Sequence, residues 1–246
     1  MLIIYRCLIN IIFLISPIIL ILRLIKKKEH KKRFQEKLCF FSKKRNKGKL
    51  LWFHGASVGE IQSIIPLIEK FEIRKDINTI LLTSNTLSSS KVIEKLKFKK
   101  VIHQFFPIDT NYHSEKFLNF WKPAAVFFVD SEIWPNMIIN LQKKQIPISI
   151  VNGRLTKKSF NRWKYFPSFS KFIFSKINLC LCSSKISKNY FQKLGIKNLK
   201  YFGNLKFIQS ETNKLVQLSA LKKLINKRKV WCASSTHYNE EKLCGL

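Results

Sequence analysis

The chain opens on an apolar block and then changes rhythm. From Met1 to Ile25 the run MLIIYRCLINIIFLISPIILILRLI is interrupted mainly by Arg6, Asn10, Ser16, Pro17 and Arg23. Wound as a helix, it is about long enough for a hydrocarbon core of roughly 30 Å. After a basic stretch reaching to about residue 48, short apolar runs alternate with longer amphipathic ones. The short runs predict strands over 50–54, 79–83, 101–105, 124–129, 146–151, 177–182 and 200–202. The longer ones predict helices over 57–71, 88–97, 114–121, 133–143, 168–176 and 185–194. This alternation predicts an α/β fold with a mostly parallel sheet covered on both faces. Ligands of such sheets bind beyond the carboxyl ends of the strands, so the residues following each strand are the functional candidates.

Composition changes the picture in three ways. With 246 residues, the chain has room for one large α/β domain, or for one domain and part of another. Its 46% apolar and 13% aromatic content excludes disorder as the main state. Its 46 Lys and Arg against 14 Asp and Glu give a net charge of +32, which points to polyanions: nucleic acid, an anionic membrane face or a phosphorylated substrate. Lys, Ile, Asn and Phe are abundant together, so a chain-wide compositional bias accounts for part of that charge. No RNP-type aromatic motif, zinc module or recognition helix is present, which makes nucleic acid the weakest of the three. The six cysteines form no C-x-x-C pair and lack His at zinc-ligand spacing; they read as reduced, structural thiols, and no metal site is expected.

The apolar N-terminus is followed by no small-x-small cleavage site but by Lys26-Lys27-Lys28-Glu29-His30-Lys31-Lys32-Arg33. It therefore reads as a retained anchor, and the positive-inside rule keeps the body on the cytoplasmic side of the membrane. A spanning helix is the first expectation, and a helix lying in the interface is the alternative that Arg6 and Pro17 support.

Five strand ends carry candidate chemistry. The first runs His54-Gly55-Ala56-Ser57-Val58-Gly59-Glu60. Ser57 and Glu60 have capping-box spacing, and a carboxylate on the first turn of a helix at a sheet's carboxyl edge can also serve as a general base. After the fourth strand come Asp130-Ser131-Glu132-Ile133-Trp134-Pro135-Asn136, two acids beside a Trp, with helix capping as the plainer reading. Arg154, after the fifth, suits a carboxylate or phosphate, or an ion pair with Asp130 or Glu132. Gly203-Asn204-Leu205-Lys206 places a cation after the seventh strand. Ser234-Ser235-Thr236-His237 follows an apolar run at 230–233 that reads as one further strand.

Together these segments resemble the Kdo transferases, which attach 3-deoxy-D-manno-octulosonic acid (Kdo) to a lipid A precursor. HGASVGE, DSEIWPN, NGRLTKKSF, GNLKF and ASSTHYNEE match five ordered motifs of that family. The resemblance implies a GT-B architecture of two Rossmann-like domains, with the acceptor on the N-terminal one and CMP-Kdo mainly on the C-terminal one. It implies Glu60 as catalytic base, and Asp130 and Lys206 as transition-state stabilisers. Ser57, Gly59, Glu132, Arg154, Asn204, Ser235, Thr236 and His237 are then expected to bind substrate. No cofactor beyond the donor CMP-Kdo is implied. Asp130 stands where the family usually has Glu, one methylene shorter, so Glu132 is expected to share its task. The expected organisation is an anchor helix over 1–25, a basic linker over 26–48, an acceptor domain over 49–207, a linker over 208–229 and the start of a donor domain over 230–246. A whole second domain needs on the order of 150 residues. This leads to the expectation of a truncated chain with little turnover by itself, or one that works with a separately encoded C-terminal half.

Overall fold

A computed structural model of the chain describes residues 1–205 and Glu240. The chain divides into two compact units, Met1–Gln209 and Ser210–Leu246, and the sheet lies in the first. Its strands are β1 (Leu50–His54), β2 (Thr79–Ser84), β3 (Val101–Phe105), β4 (Ala125–Val129), β5 (Ile148–Gly153), β6 (Leu179–Cys182) and β7 (Leu199–Tyr201). All pairings are parallel, in the order β3-β2-β1-β4-β5-β6-β7. The expected parallel α/β sheet is present, and its order reverses between β1 and β4.

Burial follows the period of two along a strand. Leu50 and Trp52 of β1 join one apolar cluster with Phe117, Trp121, Val126 and Phe128, while Leu51 and Phe53 join the other with Ile61, Ile64, Ile80 and Leu82. The first face is covered by α4 (Asn111–Trp121), α5 (Pro135–Lys143), α7 (Pro167–Phe174) and α8 (Lys185–Leu194), the second by α2 (Val58–Glu72) and α3 (Leu87–Glu94). Both faces being dry explains why the central strands read as unbroken apolar runs.

Small hydroxyl residues start the helices. Ser57, Thr86, Thr110 and Ser184 each accept a hydrogen bond from the backbone amide three residues on, and Thr156 does the same for α6 (Lys157–Lys164). Helix α5 has no such cap of its own. Asp109 supplies it from the loop after β3, accepting from the Asn136 amide at 3.0 Å and the Met137 amide at 2.8 Å.

The apolar N-terminus forms α1 (Leu2–Ile25), the one described helix long and apolar enough to cross a membrane. It is docked on the body. Tyr5 donates to the Asp109 carboxylate at 2.7 Å, and Arg6 donates to Asn136 at 3.0 Å and Asn111 at 2.9 Å. Residues 26–48, expected as a basic linker, also fold against the sheet edge. Glu36 is buried, takes the Arg33 guanidinium at 2.8 Å, and accepts from the Phe105 amide at 2.8 Å.

Candidate active site

The crevice between the carboxyl ends of β1 and β4 is where the strand order turns back, the usual ligand position in an open α/β sheet. On the β1 side, Ser57 and Glu60 close a capping box. Glu60 Oε1 accepts from the Ser57 hydroxyl at 2.7 Å, and Oε2 accepts from the Ala56 amide at 2.8 Å. Ser57 Oγ in turn accepts from the Glu60 amide at 3.4 Å. Gly55 lets this turn tighten: a Cβ there would stand 3.1 Å from Ile61 Cδ1 and 3.2 Å from Glu60 Cβ. Each Glu60 oxygen keeps a second lone pair, so capping leaves the carboxylate able to accept a proton. Gly59 shares the same first turn, half-buried.

On the β4 side the backbone turns left-handed at Asp130, with φ of 61°. Asp and Asn tolerate that region better than most residues. The Asp130 amide donates to Val151 at 3.0 Å, and its carbonyl accepts from the Arg154 amide at 3.4 Å, tying the ends of β4 and β5 together. The turn sends Glu132 back over β1. There its Oε2 lies 3.2 Å from His54 Nε2 and accepts from the Trp134 indole at 3.0 Å.

His54 is fully buried, and its Nδ1 lies 2.9 Å from Thr83 Oγ1. A carboxylate only accepts, so Nε2 carries the ring proton toward Glu132 and the Thr83 hydroxyl serves Nδ1. Thr83 also accepts from the Trp52 indole at 2.8 Å. Phe106 stacks on the imidazole at 4.0 Å and meets Trp134 at 4.9 Å. This relay from Trp52 through Thr83 and His54 to Glu132 was not expected from sequence. Its signal was the alignment of two strand ends, since His54 pairs with Thr83 in the β1–β2 register.

Arg154 is exposed at the end of β5. The expected ion-pair alternative through Glu132 is not what the structure has, because Glu132 is committed to His54 and Trp134. At Asn152, φ is 55° and the side-chain oxygen accepts from the Leu205 amide at 3.0 Å. That bond draws the turn Gly203-Asn204-Leu205 over β5. Leu205 then lines a cavity of about 200 Å³ with Ser63, Pro66, Leu67 and Lys70, against α2. Glu60, Asp130, Glu132, Arg154 and Asn204 thus share one edge of the sheet. Lys206, Ser235, Thr236 and His237 lie outside the described residues.

A buried acid flanks this edge. Burial pushes the Asp109 carboxyl up to about 7, against the pull of the Tyr5 hydroxyl, the Asn136 and Met137 amides and the Arg6 guanidinium. It holds the N-terminus of α5 only a few residues beyond Glu132.

Comparison with known proteins decides the family. A family profile described as 3-deoxy-D-manno-octulosonic-acid transferase (kdotransferase) matches residues 32–209. The chain belongs to the Kdo transferase family. The 3-deoxy-D-manno-octulosonic acid transferase of Rickettsia bellii is 33% identical over 238 residues, covering 94% of this chain and 56% of its own. A mitochondrial protein of Arabidopsis thaliana assigned to the same activity is 35% identical over 225 residues, 87% of this chain and 50% of its own. The chain therefore spans about half the length of these Kdo transferase relatives. A Listeria monocytogenes structure assigned as a UDP-N-acetylglucosamine 2-epimerase superposes with a TM-score of 0.50 at 12% identity, over 72% of this chain and 52% of that one. That likeness concerns the fold alone and agrees with a Rossmann-like domain of GT-B type.

Proposed function

We propose that this chain is the acceptor-facing part of a Kdo transferase that moves Kdo from CMP-Kdo to a lipid A precursor (lipid IVA) in lipopolysaccharide biosynthesis. Its place is the inner membrane, with the body facing the cytoplasm. The observation that supports this reading is the placement of Glu60, on the first turn after β1, and of the Asp130–Glu132 loop after the neighbouring β4 at the two strand ends that flank the sheet's switch point. Glu60 takes the proton of the acceptor hydroxyl as that oxygen attacks the anomeric carbon of Kdo. CMP leaves with the electron pair of the broken C–O bond, and the configuration inverts. A carboxylate at Asp130 favours oxocarbenium-like charge at the sugar, and the Lys206 cation offsets charge gathering on CMP. Glu132 is held by His54 and Trp134, which fits it to position the loop that carries Asp130. Exposed Arg154 suits an anionic group on either substrate.

A second reading is an acceptor-binding module that works with a separately supplied donor half. It uses the same edge of the same domain. The test joins this chain to the remaining half of the Rickettsia bellii relative and incubates the fusion in membranes with CMP-Kdo and lipid IVA. Formation of Kdo-bearing lipid is the expected result. Its absence, with both halves folded and acceptor binding intact, overturns the first reading and leaves a module matched only to a donor half of its own; its absence without acceptor binding overturns both readings.

A further inference from the structure

The geometry points to α1 lying in the plane of an anionic membrane surface, with one stripe held by the body and the opposite face in the lipid, instead of crossing the bilayer. The inference stands on the packing of α1 and not on the transferase reading.

The helix divides lengthwise. Leu2, Tyr5, Ile9, Phe13, Ser16 and Leu20, spaced three or four apart, are buried or half-buried, as one face of a helix should be. Tyr5 and Arg6 reach Asp109, Asn111 and Asn136, and the Phe13 ring lies 4.6 Å from that of His113 on α4. At the other end Arg23 pairs with buried Glu29 at 2.6 Å, and Lys37 takes the same carboxylate at 2.7 Å. From Tyr5 to Arg23 is about 27 Å at 1.5 Å per residue, nearly the depth of a hydrocarbon core. The body therefore follows α1 over almost all the length a span would need. Crossing would carry Glu115 and Lys116 of α4 into hydrocarbon, or strip Tyr5 and Arg6 from Asp109 and Asn136.

The free face is apolar but for exposed Asn10, with its large apolar side chains running from Ile3 at 78% exposed to Ile19 at 44%. Such a face, with none of the described residues packed on it, matches a helix seated among headgroups and upper acyl chains. Its borders carry the complementary charge. Lys26, Lys27, Lys28, Lys31 and Lys32 follow it, all exposed. Beside its N-terminal half, Phe169 of α7 meets Tyr5 at 6.5 Å, and exposed Phe166 and Phe172 stand one turn to either side. Arg162, Lys164 and Lys171 are exposed on the same helical pair, α6 and α7. Aromatic rings with flanking lysines are the usual composition at a membrane interface, and the cations select anionic headgroups. Because Tyr5 grips the loop after β3 and Arg6 the N-terminal ends of α4 and α5, this pose sets the carboxyl edge of the sheet at the membrane surface.

The test reconstitutes the full chain into vesicles of phosphatidylethanolamine, phosphatidylglycerol and cardiolipin. Single nitroxide labels are placed at Ile4→Cys, Ile11→Cys, Ile18→Cys and Leu22→Cys, all on the free face, with the remaining exposed thiols replaced by Ser. Collisional depth measurements are expected to place all four at one shallow depth of about 5–10 Å. A tag ahead of Met1 is expected to be cut by protease on the same side as the body. A depth profile deepest at Ile11 with shallow ends, together with a tag protected when the body is accessible, overturns the inference. Equal vesicle binding with phosphatidylcholine alone overturns the choice of an anionic surface.

Discussion

Asp109 offers a sharp electrostatic test, because one buried carboxyl joins α1, the loop after β3 and the start of α5. The perturbation is Asp109→Asn. In the native protein Oδ2 accepts from the Tyr5 hydroxyl and the Asn136 amide, while Oδ1 accepts from the Met137 amide. Asn keeps the shape but turns one oxygen into an N–H donor facing a buried N–H. One buried donor is then unsatisfied, at a cost of about 1–3 kcal/mol. The pH dependence carries the sign. The carboxyl is raised by burial from 3.8 to about 7, so the folded state binds its proton more tightly than the unfolded chain does. The stability that the protonated acid contributes is complete below about 4 and is lost as pH rises through about 7. At about 1.36 kcal/mol per tenfold, the ceiling on that loss is about 4 kcal/mol. The assay is denaturant unfolding of the detergent-solubilised chain and of Asp109→Asn at pH 5, 6, 7 and 8. The wild-type advantage is expected to be largest at pH 5 and to shrink or reverse by pH 8. A gap that is constant, or that widens with pH, refutes this account of Asp109.

Two further substitutions test the packing beneath the site. Thr83→Val removes the hydroxyl that serves both the Trp52 indole and His54, leaving two buried polar groups unpaired. It is expected to cost about 2–5 kcal/mol, read from the denaturation midpoint, with Thr83→Ser recovering most of it. Gly153→Ala would put a Cβ 2.8 Å from Cys180 Sγ, 3.1 Å from Ile150 Cγ2 and 3.2 Å from Phe191 Cε2. Overpacking of about 1–3 kcal/mol is expected, seen by calorimetry as a thermal midpoint lowered by several degrees.

The strands were legible because both faces of the sheet are dry, and an unbroken apolar run such as Leu50–Phe53 can go nowhere else. The sequence reading of 50–54 and 101–105 coincides with β1 and β3. It fails where tertiary contacts set the limits. Strand β5 starts at Ile148, after Pro147 and where the Asn178 side chain accepts from its amide at 2.8 Å, and it extends through Asn152 and Gly153, which look like a turn. Ile177 is apolar but buried in the turn ahead of β6. Helix α6 lies outside the helices expected from the sequence, and none of its residues is fully buried. Its support is lateral, with Phe160 stacked on Tyr190 at 4.4 Å and Trp163 edge-on to Phe174 at 5.0 Å.

The candidate site divides in the same way. Ser57 and Glu60 were readable because a capping box is local. The His54–Thr83–Trp52 relay needs the register of two strands separated by α2, and Asp109 caps a helix that begins 26 residues later, so neither leaves a periodic trace. The in-plane setting proposed for α1 is of this kind too: the apolar run gives a helix long and apolar enough to cross a membrane, whereas the direction proposed for it depends on which residues the body holds.

We propose Glu60 as the base of Kdo transfer. The most direct measurement of that role is the single-turnover rate of Kdo transfer from CMP-Kdo to lipid IVA by the assembled enzyme carrying Glu60→Gln, beside Glu132→Gln. Glutamine retains the acceptor oxygen for the Ala56 amide or the Ser57 hydroxyl but cannot take a proton. A fall of about 10²–10⁴-fold is expected for Glu60→Gln with acceptor binding retained, and a smaller effect for Glu132→Gln. Transfer by Glu60→Gln at the wild-type rate would contradict that role.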